Sequence, residues 1–139
     1  MNPTLVDGQH LLIEKISYRF KDIERFDIVV FKPFSDEKDV FYVKRVIGLP
    51  GETIQIKDDI IYVNGKPLEE NYSEDVYIDG KMAKEKITLG KDDYFVLGDN
   101  RDVSKDSREK EIGLLDSESV VGRVWFSIYP TDRVGIVHN

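Results

Sequence analysis

Apolar residues along this chain come in short runs separated by turn formers, with little sign of helical periodicity. Leu11-Leu12-Ile13 is the first run. Asp27-Ile28-Val29-Val30-Phe31 is rich in β-branched residues and is closed by Pro33. Val40-Phe41-Tyr42-Val43-Lys44-Arg45-Val46-Ile47 is longer and stops at Gly48-Leu49-Pro50-Gly51, a strong turn signal. Thr53-Ile54-Gln55-Ile56 alternates, Lys57-Asp58-Asp59 can turn, and Ile60-Ile61-Tyr62-Val63 returns. Asn64-Gly65 predicts a two-residue type I′ hairpin, because both central positions of that turn need positive φ. From Pro67 to Asp93 the chain is polar and irregular, with one helical turn conceivable at Met82-Ala83-Lys84-Glu85-Lys86. Tyr94-Phe95-Val96-Leu97 is a further strand ending at Gly98, and Glu118 to Val121 and Gly122 to Tyr129 supply the last strands. Trp125 is expected to pack in the core or against the sheet rather than to serve as a ligand platform.

Many short strands with Gly-rich turns predict a mainly β domain, with antiparallel sheets in a barrel-like core and a small loop-rich lobe. The expected layout is one domain over 1–139, its core at 1–57 and 94–139 and the inserted lobe at 58–93.

The length of 139 residues suits one domain, and 40% hydrophobic with 34% charged residues allows a real core beneath a solvated surface. The formal net charge of -7 disfavours general nucleic-acid binding, which rests on Lys and Arg neutralising phosphates. The chain has no cysteine, which excludes disulfides, thiolate zinc sites and a Cys nucleophile. His10 and His138 are the only histidines, so neither a Ser-His-Asp triad nor a His-based metal site is expected. No stretch approaches the roughly 20 apolar residues of a membrane span, so any membrane anchor is expected to lie outside this chain. Any proteolytic chemistry would take Lys, Asp or Glu as its base.

Lys44 is the notable candidate. It sits inside an apolar strand, where Lys44 and Arg45 point to opposite faces. Burial removes the solvation of an ammonium and lowers its pKa, and a neutral amine can take a proton from a serine hydroxyl. Taken alone, a strand lysine more commonly snorkels its head to solvent. The segment Gly98-Asp99-Asn100-Arg101-Asp102-Val103-Ser104-Lys105-Asp106-Ser107-Arg108 follows an apolar strand and interleaves acids with arginines. Such spacing suits paired charges that stiffen a loop beside a site.

Together these segments resemble type I signal peptidases. Gly98 to Arg108 is similar to the family's GDNRxxSxDSR box, and Tyr42 to Gly51 to its YVKRVIGLPG box. Arg25-Phe26-Asp27-Ile28-Val29-Val30-Phe31 resembles its RGDIVVF strand, with Phe26 where Gly is usual. Met1-Asn2-Pro3-Thr4-Leu5 resembles the tail of its SMxPTL box, and Val121-Gly122-Arg123 and Tyr129-Pro130 also fit. Four boxes in the family's order make a chance match very improbable.

The resemblance implies a membrane-associated serine endopeptidase that removes signal peptides with a Ser/Lys dyad and no cofactor or metal. Lys44 would be the general base and Ser104 would hydrogen-bond and orient its amine. Arg45 would pair with Asp99, and Asp106 with Arg108, with Asn100 and Arg101 supporting the same loop. Met1, Leu5, Phe41, Tyr42 and Val43 would bind an extended substrate added as a strand. Implied partners are signal peptides of secreted preproteins, pilin precursors as a dedicated case, and a membrane surface reached through an N-terminal anchor. The site would face the extracytoplasmic side of the cell membrane, in an enzyme of Gram-positive type. The nucleophilic Ser is expected immediately before Met1, so the chain 1–139 is expected to be inactive alone. Two rivals remain: a LexA-like self-cleaving repressor, which shares the Ser-Lys chemistry but against which the GDNR box argues, and a non-catalytic paralogue binding secreted or pilus precursors.

Overall fold

The structure, a computed structural model, describes residues 1–2, 4–5, 7–14, 23–33, 40–71, 78–129 and 134–137. Pro3, Pro130, His138 and residues 72–77 of the expected lobe lie outside that set. Eleven strands occur among the described residues: β1 (His10–Glu14), β2 (Ile28–Phe31), β3 (Tyr42–Gly48), β4 (Thr53–Lys57), β5 (Ile60–Val63), β6 (Lys66–Pro67), β7 (Ile87–Thr88), β8 (Asp93–Leu97), β9 (Leu115–Asp116), β10 (Val120–Tyr129) and β11 (Gly135–Ile136). The fold is mainly β and antiparallel, as expected.

The larger sheet runs β1-β10-β2-β3-β8-β9, with β11 also paired to β10. β1 and β9 stand at opposite ends of that path, so the sheet stays open rather than closing as a barrel. β2 lies between β10 and β3, and all four of its residues are buried. Its alternation divides them: Ile28 and Val30 join Leu5 and Val124 in one cluster, while Val29 and Phe31 join Val46, Tyr94 and Val96 in another. Burial on both faces is why this segment reads as a continuous apolar run.

The second sheet runs β6-β5-β4-β7. Residues 58–93 supply β5, β6 and β7, and β4 comes from just before them. Two type I′-like turns build it. Asp58 and Asp59 have φ of 51° and 63° between β4 and β5, and Asn64 and Gly65 have 51° and 76° between β5 and β6. A primed turn matches the right-handed strand twist, and Asn and Asp tolerate positive φ better than most residues. Ile54, Ile56, Ile61 and Val63 from this sheet pack with Ile47, Phe95 and Leu97 from the larger one. Lys81–Lys84 forms a short 3₁₀ helix where a helical turn was expected.

One reading is corrected by the structure and one is narrowed. The last strand is one piece, because Gly122 is a close approach and not a break: a Cβ there would stand 2.5 Å from Ile13 Cγ2 and 2.8 Å from the Glu14 carbonyl. Trp125 is not core. It is 44% exposed and its ring contacts Phe126.

Candidate active site

The site gathers at the N-terminal segment, β3, and the loop after β8. Lys44 and Arg45 are neighbours on β3, and the strand's alternation sends them to opposite faces. Arg45 turns to a buried pair with Asp99: Nε donates to Oδ1 at 2.9 Å and Nη2 to Oδ2 at 2.9 Å. The two side chains are 1% and 0% exposed. The same guanidinium donates to the Phe26 carbonyl at 3.1 Å. Phe26 has φ of 76°, a left-handed conformation that explains why glycine suits this position.

Thr4 joins that pair. Its hydroxyl donates to Asp99 Oδ2 and accepts from Arg45 Nη2 at 3.3 Å. The Leu5 amide donates to the Met1 carbonyl at 2.8 Å, closing the segment into a turn. The N-terminal turn is thereby tied to the buried ion pair. Sequence reasoning assigned Thr4 no role; its place in the SMxPTL-like box was the available signal.

The loop from Gly98 to Arg108 is held by a second buried pair. Arg108 donates through Nε to Asp106 Oδ1 at 2.8 Å and through Nη2 to Oδ2 at 3.0 Å. Asp106 Oδ2 also accepts from the Gly98 amide at 3.1 Å. Arg108 Nη2 reaches the Arg101 carbonyl at 2.7 Å, and Nη1 the Asp79 carbonyl at 3.1 Å. Ser107 hooks the loop to β8, accepting from the Val96 amide at 3.0 Å through Oγ. Arg101 donates to the Gly98 carbonyl at 3.0 Å and to Glu70 at 2.7 Å. Asn100 lies half-exposed within the loop.

Lys44 and Ser104 converge on Gly98. A Cβ at that glycine would stand 2.1 Å from Ser104 Oγ and 3.6 Å from Lys44 Nζ. The expected Ser104–Lys44 hydrogen bond is not formed here: Ser104 Oγ is buried without a hydrogen-bond partner. Lys44 Nζ lies 5.8 Å from the centroid of the Tyr42 ring. Burial pushes the Lys44 amine below its ordinary value; Asp106 and Asp99 pull it back up, and Arg108 adds to the lowering. The Met1 amine is lowered too, first by its own burial and then by the Lys44 charge. Both amines are thus partly desolvated, and each lies within reach of the other's charge.

Of the residues expected to bind substrate, Met1, Leu5 and Val43 lie in one apolar cluster with Ile28, Val30 and Val124. Tyr42 packs on the opposite face, its ring centroid 6.0 Å from that of Phe31. Phe41 precedes β3 and is 56% exposed. β2 pairs with Tyr42, Val43, Lys44 and Arg45, whereas β8 meets β3 only from Arg45 onward. The other edge of Tyr42-Val43-Lys44 thus lies beyond the end of β8. Among the described residues no cluster of three or more His, Asp or Glu is placed to hold a metal, and no helix is long and apolar enough to cross a membrane.

The family model described as "Signal peptidase, peptidase S26" matches residues 1–129. The chain belongs to this signal peptidase family. It is 41% identical to the signal peptidase I of Bacillus licheniformis over 96% of its length, spanning 74% of that protein. It is 42% identical to the probable signal peptidase I-2 of a Synechocystis strain over 99% of its length, spanning 62% of that protein. The crystal structure of a signal peptidase I from Enterococcus faecalis V583 superposes with a TM-score of 0.60 at 36% identity, covering 74% of this chain and 97% of that one. This signal peptidase domain is thus similar to relatives in Gram-positive bacteria.

Proposed function

We propose that this domain carries the base side of a Ser/Lys endopeptidase that removes signal peptides from secreted preproteins. The observation that carries the reading is the convergence of Lys44 Nζ and Ser104 Oγ on Gly98, with the Met1 amine near enough to feel the Lys44 charge. A serine joined to Met1 in the longer protein would bring its hydroxyl into the same space. Lys44, its pKa lowered by burial, takes the hydroxyl proton as the oxygen attacks the scissile carbonyl. The proton then passes to the leaving amine, and water releases the acyl group from the serine in a second step. Ser104, whose buried Oγ has no hydrogen-bond partner in this structure, turns to accept from the Lys44 amine and orients it when the serine joined to Met1 is in place. The Arg45–Asp99 and Asp106–Arg108 pairs keep both strand and loop rigid beneath it.

An extended substrate adds to the edge of Tyr42-Val43-Lys44 beyond β8, so that main-chain hydrogen bonds bind it. The apolar cluster of Met1, Leu5 and Val43 suits the small residue that precedes a signal-peptide cleavage site. The catalytic domain works at the extracytoplasmic membrane surface, delivered by an anchor in the longer protein.

The test compares chain 1–139 with the longer protein carrying the upstream segment, each incubated with preproteins, pilin precursors included, in detergent. Mass spectrometry should find cleavage after a small residue by the longer protein, abolished by Lys44→Ala. Cleavage that survives Lys44→Ala would sink the Lys44 role. Binding of precursors without any cleavage would favour the non-catalytic paralogue.

A further inference from the structure

Loop 98–108 is clamped from outside its own motif. Glu70 Oε2 accepts from Arg101 Nη2 at 2.7 Å, and the side chains are 13% and 1% exposed. Arg101 in turn donates through Nε to the Gly98 carbonyl at 3.0 Å. Gly98 is the residue against which Ser104 Oγ and Lys44 Nζ lie. A second tie from the same part of the chain is the Arg108 Nη1 bond to the Asp79 carbonyl at 3.1 Å. Glu70 and Asp79 flank residues 72–77, between β6 and β7, so the inserted segment reaches the floor of the candidate site at two points.

We propose that Glu70 is a positioning residue for the Ser/Lys site: its carboxylate holds Arg101 so that the Gly98 backbone seats Ser104 against Lys44. This rests on the reading of Lys44 and Ser104 given above. The physical reason is the cost of a guanidinium at 1% exposure, which needs charged or polar acceptors around it. Without the Glu70 carboxylate, the Arg101 end of the loop shifts to regain solvation and carries Gly98 with it. A displacement on the order of 1 Å near reacting groups can lower turnover about a hundredfold.

The sign of one effect separates this role from a direct electrostatic one. The charges facing Lys44 are Asp106, Asp99, Arg108 and the Met1 amine. Loss of a carboxylate acting through space would make Lys44 easier to deprotonate. A loosened loop instead admits water to Lys44, relieves its desolvation, and makes it harder to deprotonate.

The experiment places Glu70→Gln and Glu70→Ala in the longer protein and measures preprotein cleavage across pH. Expected are a tenfold to hundredfold fall in kcat for Glu70→Ala, KM within twofold, and an acid limb of kcat/KM moved to higher pH. Glu70→Gln, which keeps a neutral acceptor for Arg101, should fall between Glu70→Ala and the unsubstituted protein. Folded variants with unchanged kcat and acid limb, or a limb moved to lower pH, overturn the proposal. Where even the unsubstituted protein cleaves nothing, the peptidase reading fails. The Glu70 clamp is then decided by ¹³C NMR titration of Lys44 in chain 1–139. An upward displacement in Glu70→Gln supports it, and no change or a downward one overturns it.

Discussion

Removing the Asp99 carboxylate should be among the most destabilising single changes in this domain. Asp99 and Arg45 are 0% and 1% exposed and joined by two hydrogen bonds of 2.9 Å. In Asp99→Ala, the Arg45 guanidinium keeps the Phe26 carbonyl at 3.1 Å and Thr4 Oγ1 at 3.3 Å, but no charge remains opposite it in this pair. Breaking a buried pair from one side costs about 3–5 kcal/mol. The Thr4 hydroxyl also loses its acceptor, at about 1 kcal/mol. The expected loss is therefore about 5 kcal/mol, which for a domain of this size lowers Tm by roughly 12–25 °C. Urea titration and thermal unfolding would both read it. Arg45→Met/Asp99→Leu should lose clearly less than Asp99→Ala, because no charge is left buried without its counterpart. A loss below about 1 kcal/mol for Asp99→Ala, typical of solvent-exposed pairs, would mean that the Arg45 charge is not desolvated in the folded domain.

Three further outcomes follow from the geometry. Gly98→Ala places a methyl 2.1 Å from Ser104 Oγ, so Ser104 must move; cleavage by the longer protein should fall at least tenfold, on the order of 1.4 kcal/mol in the barrier, with far-UV circular dichroism unchanged. Because Phe26 sits at φ 76°, Phe26→Gly should be more stable than Phe26→Ala by about 1 kcal/mol in urea titrations, the reverse of the usual order of these two residues. Lys44 has its folded-state pKa lowered chiefly by burial, so between that value and the ordinary 10.5 the unfolded chain binds a proton that the folded one does not. Stability should then rise with pH through that window and carry its full penalty below it. Lys44→Met should be more stable than the unsubstituted chain at neutral pH and show a flatter pH dependence in the same unfolding assay.

The strands at 28–31 and 42–48 were legible because β-branched runs end at Pro or Gly, and because burial on both faces leaves an apolar signature. Asn64-Gly65 announced its turn through backbone chemistry alone. β7, β9 and β11 were not legible: each has two residues, too short for a period, and forms only because a partner strand is already in place. Trp125 shows the limit of alternation, which gives the side of the sheet but not whether anything covers it. In the candidate site, the opposite directions of Lys44 and Arg45 could be read from strand geometry, and the convergence of distant segments from the resemblance to a family. Thr4 and Asp99 are 95 positions apart in the chain, and Glu70 and Arg101 are 31 apart. Contacts of that separation leave no local mark, so Glu70 carried no signal at all. The desolvation of Lys44 likewise exists only once β3, the N-terminal turn and the loop after β8 are assembled.

The proposed mechanism requires Lys44 to be a neutral amine at the working pH. Its most direct test follows the Lys44 ¹³Cε resonance and the acid limb of kcat/KM in the same longer protein across pH. The expected Lys44 midpoint lies below the ordinary lysine value of 10.5, with the acid limb of cleavage tracking it. A midpoint at or above 10.5, or an acid limb that follows another group while Lys44 stays protonated, would contradict it.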